Sequence, residues 1–152
     1  MSQDKYKIPI SALIVIYNKQ NEVLLLHRAD KKNYWQSVTG SIEDNELPID
    51  AAKREVFEET GIKVEDYLLQ DWEMSNQYKI FTHWRYRYEP GVEFNTEHIF
   101  ALEVPKEIPI KLSPREHVEY KWIGIKAAKK KVFSWTNVKA LENLCKIKLI
   151  ES

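Results

Sequence analysis

Two apolar runs stand near the amino end, Ile10 to Tyr17 and Val23 to His27, separated by the polar residues Asn18 to Asn21. Runs of this length and composition predict two strands joined by a hairpin turn. From Ile49 to Thr60 the signals become helical. Pro48 suits a first helical turn, Asp50 lies where the positive end of the helix dipole favours an anion, and Gly61 follows as a helix-ending glycine. A loop bearing Tyr34, Trp35 and Gln36 leads into this helix. Beyond it, Tyr78 to Tyr88 and His98 to Val104 have the aromatic and β-branched content of strands, with Glu89, Pro90 and Gly91 as a turn. Tyr120 to Ile123 reads as one more short strand. Leu141, Leu144, Cys145 and Leu149 form a stripe that predicts a last helix from about Asn137 to Leu149. The order is strands, helix, strands, helix, an α/β pattern without repeat or linker.

The first helix carries the chemistry. Glu55, Glu58 and Glu59 are related by i, i+3 and i+4, so the pattern predicts three carboxylates converging on one face. Ala51 and Ala52, one turn earlier, leave room beside them. Carboxylates that close repel one another, and each pKa would rise unless a cation neutralised the group. Oxygen-only ligands suit Mg2+, with Mn2+ as a substitute. The competing reading is a solvated acidic helix face held by Arg54. Against it stands the wider register: Gly40, Glu46, Arg54, Glu55, Glu58, Glu59 and Gly61, with apolar Val56 and Ile62. Average residue usage gives a chance match to that spacing on the order of 10^-9 per starting position.

Composition limits the partners. The chain has 152 residues, enough for one domain with a real core and too few for two ordinary ones. Lys plus Arg equals Asp plus Glu at 23 each, so no global field recruits nucleic acid or an acidic membrane surface. Cys145 is the only cysteine, which excludes an internal disulfide and fits a reducing compartment. The first apolar run, Ile8 to Tyr17, is about ten residues and too short to span a bilayer. No small-residue cleavage pattern follows it, so the expected location is the cytoplasm. Oligomeric state leaves no mark in the sequence.

The glycine and glutamate register is the signature of the Nudix hydrolases, which this chain resembles at every specified position. The resemblance implies a Nudix fold, an α/β/α sandwich around a mixed β-sheet, filling residues 1–152 as one domain. It also implies metal-dependent hydrolysis of a nucleoside diphosphate linked to a further moiety. Within the family the chain is similar to the dihydroneopterin triphosphate pyrophosphatases of folate synthesis, also described as dATP pyrophosphohydrolases. That likeness runs from about Tyr6 to Leu144. It rests on Tyr6-Lys7 with Pro9 and Ser11, on Tyr34 to Ser41, and on Tyr88 with Pro90-Gly91-Val92 and Asn95-Thr96-Glu97. Glu116-His117, Tyr120-Lys121-Trp122 and Ser134-Trp135 with Asn137 complete it. The expected substrate is a pterin or nucleoside triphosphate, cleaved to the monophosphate and pyrophosphate. A broad nucleotide-sanitising or dinucleoside polyphosphate hydrolase is the alternative enzyme, and a silent nucleotide-sensing domain the alternative of another class.

The resemblance also assigns roles. It implicates Glu55, Glu59 and Glu116 as metal ligands; the helix-face reading adds Glu58 to that set, and Glu55, Glu58 and Glu59 are the expected catalytic carboxylates. Glu55 is the first choice for general base, and Glu119 is the fallback for Glu116. His117 is expected at the surface or behind the ligands. Lys7, Arg28, Thr39, the stretch Tyr78, Lys79, Ile80 and Phe81, and Ser134 are the expected substrate contacts. Tyr34, Trp35, Tyr78, Phe81 and Trp84 are the aromatic residues available to stack a heterocycle. Arg54 and Glu46 are expected to pair and orient the loop and helix.

Overall fold

A computed structural model describes residues 6–148. One mixed sheet of seven strands runs β3-β2-β1-β6-β5, with β4 paired to β1 and β7 to β2. The strands are β1 Ile10–Tyr17, β2 Glu22–Arg28, β3 Trp35–Gln36, β4 Val38–Ser41, β5 Leu69–Lys79, β6 Phe94–Glu103 and β7 His117–Gly124. The helices are α1 Pro48–Thr60, α2 Ile125–Lys131 and α3 Trp135–Ile147. β1 runs parallel to β6 over its whole length and antiparallel to β4.

Both faces of the sheet are covered, which explains why β1 and β2 are apolar throughout. Leu13, Val15 and Tyr17 of β1 join Val23 and Leu25 of β2 and Ile99 of β6 in a core closed by Ala128, Leu141 and Leu144 of α2 and α3. The intervening residues Ala12, Ile14 and Ile16 point the other way, with Leu24, Leu26 and Phe100, onto Ala52 and Val56 of α1. This is the expected α/β/α sandwich. Among the described residues no helix is long and apolar enough to cross a membrane.

Several elements depart from the sequence reading. The strand expected over Tyr78 to Tyr88 ends at Lys79, and Thr82–Arg87 forms a 3₁₀ helix. Its aromatic side chains pack on one another: Phe81 stacks on Trp84 at 5.5 Å and His83 meets Trp84 at 4.4 Å. The strand itself extends back to Leu69. The stretch expected as a plain loop contains β3 and β4, and the lysine-rich α2 was not foreseen. The last helix begins at Trp135, and Leu149 lies outside the described residues.

Candidate active site

α1 and the loop entering β7 build an acidic cluster. At about 100° per helical residue, Glu59 lies about 40° to one side of Glu55 and Glu58 about 60° to the other. Glu55 and Glu59 therefore turn inward together. With Glu116 they present carboxylate oxygens within 4.8 Å of one another. Glu58 stands apart, half-exposed, paired with Arg54 at 3.3 Å. The expected convergence of the three glutamates of α1 is thus limited to two. Glu116 comes from a distant part of the chain because its carbonyl accepts the Ala29 N–H at 2.8 Å, just beyond β2. The fallback residue Glu119 is exposed and bonds His27 at 3.2 Å.

Arg54 ties the cluster to the preceding loop. Its Nε and Nη2 donate to the two carboxylate oxygens of Glu46 at 2.9 and 3.0 Å, and Nη2 also donates to the Ser41 carbonyl at 3.0 Å. Nη1 donates to Glu55 Oε2 at 2.8 Å. The expected Arg54–Glu46 pair is present, and it also fixes a carboxylate of the cluster. Gly40 completes the fit. A Cβ at that position would fall on the Glu55 carboxyl, so glycine leaves that carboxyl room to lie where it does, against β4.

Burial raises the pKa of Glu55, an effect opposed by bonds to Glu59 and Arg54. Glu59, 1 % exposed, is pushed well above the usual carboxylate range by burial and by the neighbouring Glu55 and Glu116. Without a cation, burial and the adjacent Glu55 carboxyl favour the protonated form of Glu59 over the ionised one. Glu59 Oε1 is buried and has no hydrogen-bond partner among the described residues. An orphaned oxygen within an all-oxygen set fits a hard divalent cation.

His117 was expected at the surface or behind the ligands; it is buried, 2 % exposed, and its Nε2 meets Gln36 Nε2 at 3.1 Å. Burial and then Arg28 lower its pKa to about 4, so the ring is neutral. Its Nδ1 lies 3.8 Å from Glu59 Oε1, a distance that between a neutral ring and a protonated acid makes no ion pair.

A cleft of about 870 Å³ opens beside the cluster. Lys7, Arg28, Thr39, Tyr78, Ile80, Phe81 and Ser134 line it, as do Glu55 and Glu116. Lys79 does not: one residue along the strand from Tyr78, it points to the opposite face. The Lys7 ammonium has its pKa lowered by loss of water, then by Arg87 and Arg28. Arg28 sits at a register shift in β2 that re-aims its side chain. It bonds both oxygens of Asp30 at 2.8 Å and lies over the Trp84 ring at 4.3 Å. Ser134 caps α3, accepting the Asn137 N–H at 3.2 Å. Of the aromatic candidates, Tyr78, Phe81 and Trp84 reach the cleft. Trp35 is buried against His27, and Tyr34 stacks on Phe133.

Residues 7–144 match the family model described as NUDIX domain. The chain belongs to the Nudix family. This Nudix chain is 44% identical over 145 residues to the dihydroneopterin triphosphate diphosphatase of Escherichia coli K12, covering 93% of this chain and 95% of that one. The protein of the same name from Haemophilus influenzae is 40% identical, with 91% and 88% covered. The solved structure of the E. coli dihydroneopterin triphosphate pyrophosphohydrolase superposes with a TM-score of 0.86 at 45% identity, covering 91% and 95%. The protein is a Nudix pyrophosphohydrolase, and Nudix hydrolases use divalent metal ions.

Sequence reasoning missed several residues of this Nudix cleft. Arg87 and Arg115 add positive charge, while Glu97, Phe133, Thr136 and Asn137 add further lining. Glu97 and Asn137 belonged to quoted motifs without a role. Asn137 proves to be a clamp, accepting the Ser37 N–H at 2.9 Å and donating to Ser37 Oγ at 3.0 Å.

Proposed function

We propose that the protein hydrolyses dihydroneopterin triphosphate to the monophosphate and pyrophosphate with Mg2+, and also accepts dATP and other nucleoside triphosphates. The observation that carries this reading is the 44% identity to the E. coli diphosphatase across nearly the full length of both chains. The cleft geometry supports it. Its lining combines the carboxylates of Glu55 and Glu116 with cationic Lys7 and Arg28 and with aromatic side chains, the groups a ring-bearing triphosphate requires.

Glu55, Glu59 and Glu116 would hold the metal, which when bound would offset phosphate charge and lower the pKa of a water. Arg54 holds Glu55, and Glu58 holds Arg54. Lys7 and Arg28 bind the phosphates, Arg28 by exchanging Asp30 for a phosphate in its two-pronged grip. Thr39 and Ser134 offer hydroxyls; Tyr78, Ile80 and Phe81 flank the ring. Glu55 lines the cleft and takes the proton of the attacking water, while Glu59 stays beneath it. Water adds to phosphorus at the bridge between the α and β phosphates, that P–O bond breaks, and pyrophosphate departs.

The same proposal takes residues 1–152 as one domain acting in the cytoplasm on a small molecule rather than a nucleic acid. A substrate panel with Mg2+ tests it. Dihydroneopterin triphosphate should exceed each deoxynucleoside triphosphate and dinucleoside polyphosphates in kcat/KM, with pyrophosphate as product. EDTA should abolish the release and added Mg2+ restore it. Equal efficiency on all nucleotides with poor turnover of the pterin would overturn the substrate, and full activity in chelator the metal.

A further inference from the structure

The cleft contains a buried carboxylate that the hydrolytic chemistry leaves unused. Glu97 stands on β6 opposite Ser11 of β1, is 4 % exposed, and lines the cleft with Thr39, Tyr78 and Thr136. The hydroxyls of Thr39 and Thr136 bond its carboxyl. Its Oε1 is buried without a hydrogen-bond partner among the described residues. Leaving such an oxygen unpaired lowers stability, and buried polar groups without partners are rare enough to require a reason. No cation is among the groups that shift its pKa, so its environment does not explain it as half of an ion pair.

We propose that Glu97 reads the ring of the substrate, its carboxylate accepting parallel hydrogen bonds from a ring N–H and the adjacent exocyclic amine. This deepens the pterin reading above and rests on it. A pterin presents those two donors side by side, and so does the Watson–Crick edge of guanine. Adenine instead places an acceptor nitrogen beside its amine, a pattern that the protonated carboxyl matches, so dATP is accepted, whereas one oxygen of the ionised carboxylate would meet a lone pair. A glutamine, with one acceptor and one donor, matches adenine and mismatches the other two. Glu97 is thus a specificity residue: it selects among rings and takes no part in bond breaking.

Burial pushes the Glu97 carboxyl up to about 7, with the Thr136 and Thr39 hydroxyls opposing the shift. The groups facing it are Thr39 of β4, Thr136 of α3, Tyr78 of β5 and Tyr88 after the 3₁₀ helix. Burial raises the pKa of both tyrosines, which stay neutral below 10. The double-acceptor form of Glu97 is therefore gained as pH rises through about 7.

The test compares dihydroneopterin triphosphate, dGTP and dATP with wild-type protein and Glu97→Gln at pH 8. Because dGTP and dATP share sugar and phosphates, their kcat/KM ratio isolates the ring edge. Losing a paired, buried polar contact should lower the dGTP to dATP ratio by about tenfold or more, and the pterin to dATP ratio likewise. In wild type the dGTP to dATP ratio should rise between pH 6 and pH 8 and stay flat in the variant; forming a ratio cancels titrations shared at the phosphate end. Unchanged ratios, or an equal fall for all three substrates, would overturn the proposal. Should the variant fail to fold by thermal unfolding, wild type decides: lumazine, which carries a carbonyl where pterin has its amine, should inhibit dATP hydrolysis about tenfold more weakly than pterin, and equal inhibition sinks the idea. Absence of dihydroneopterin triphosphate turnover by wild type would remove the proposed substrate, while the dGTP to dATP ratio would still judge Glu97.

Discussion

At the scale of single residues, the site combines carboxylates that water alone would keep apart. Burial and like charge disfavour two anions at Glu59 and Glu55, so the pKa of each is raised, that of Glu59 more strongly. Its folded pKa lies above the unfolded value, so the metal-free folded state binds more protons and loses stability as pH rises above the usual carboxylate range near 4.5. An amide carries no such penalty. Glu59→Gln should therefore flatten the decline in Tm between pH 5 and pH 8 measured in EDTA, while lowering kcat by about 10^2 or more. A variant with normal turnover would return Glu59 to a structural role. Gly40→Ala tests the neighbouring contact. The added methyl displaces the Glu55 carboxyl from its bond with Arg54. With the proposed base displaced, kcat should fall by about 10^2 or more, and because the backbone of Gly40 is not among those with positive φ the change in Tm should be modest. These contacts explain two members of the sequence register that charge alone does not: Gly40 makes space for Glu55, and Glu46 anchors the arginine beside it.

At the scale of elements, α1 is specified by its ends. Leu47 supplies no side-chain cap, and Pro48 fixes the first turn instead. Gly61 closes the helix in the left-handed region at φ 76°, donating its N–H to the Phe57 carbonyl at 2.8 Å. Gly61→Ala pays the left-handed penalty and brings its Cβ to 3.2 Å from the Lys111 Cβ, so stability should fall by about 1–2 kcal/mol. Thermal unfolding should show a loss of roughly 2–8 °C in a domain of this size. An unchanged Tm would refute the assignment of α1's end to this glycine. β5 shows why strand reading failed elsewhere. Along Leu69–Lys79 half-buried residues alternate with exposed ones, broken by a register shift where Glu73 takes φ 54° and its N–H bonds Asp71. An edge strand with so little apolar content gives a weak signal. The aromatic stretch after it gave a strong one for the wrong reason. Phe81 and Trp84 are collected there by stacking in the cleft wall, which a 3₁₀ helix provides as well as a strand would. α2 buries only Ile125 and Ala128, too few for a helical period to emerge among its lysines.

At the scale of the whole molecule, the sheet works as a frame that gathers remote residues to one end. β1 places Ser11 between Ser41 of β4 and Glu97 of β6, and the β2–β7 pairing brings Arg28 beside His117. If Glu55, Glu59 and Glu116 hold the divalent ion as proposed, they would tie α1 to the loop before β7, so binding should stabilise the entire fold. Mg2+ at about 100 times its Kd should add about 2.7 kcal/mol and raise Tm by several degrees, an increase that Glu59→Gln should largely remove. The same rise in wild type and variant would place the ion elsewhere. The sequence by itself determined the sandwich, the helix with its glutamates, and the family. The helix rests on local chemistry at fixed spacing, a proline start, a glycine stop and carboxylates at i and i+4; the family and its sandwich rest on the resemblance that this register carries. Tertiary structure alone decided that Glu58 turns away to Arg54 while the expected Glu116 comes within reach of Glu55 and Glu59, that Lys79 leaves the cleft that Tyr78 enters, and that Glu97 and His117 are buried. The physical reason is that burial, not residue type, sets the protonation and partners of a carboxylate or an imidazole, and burial is fixed only when strands far apart in the chain pair.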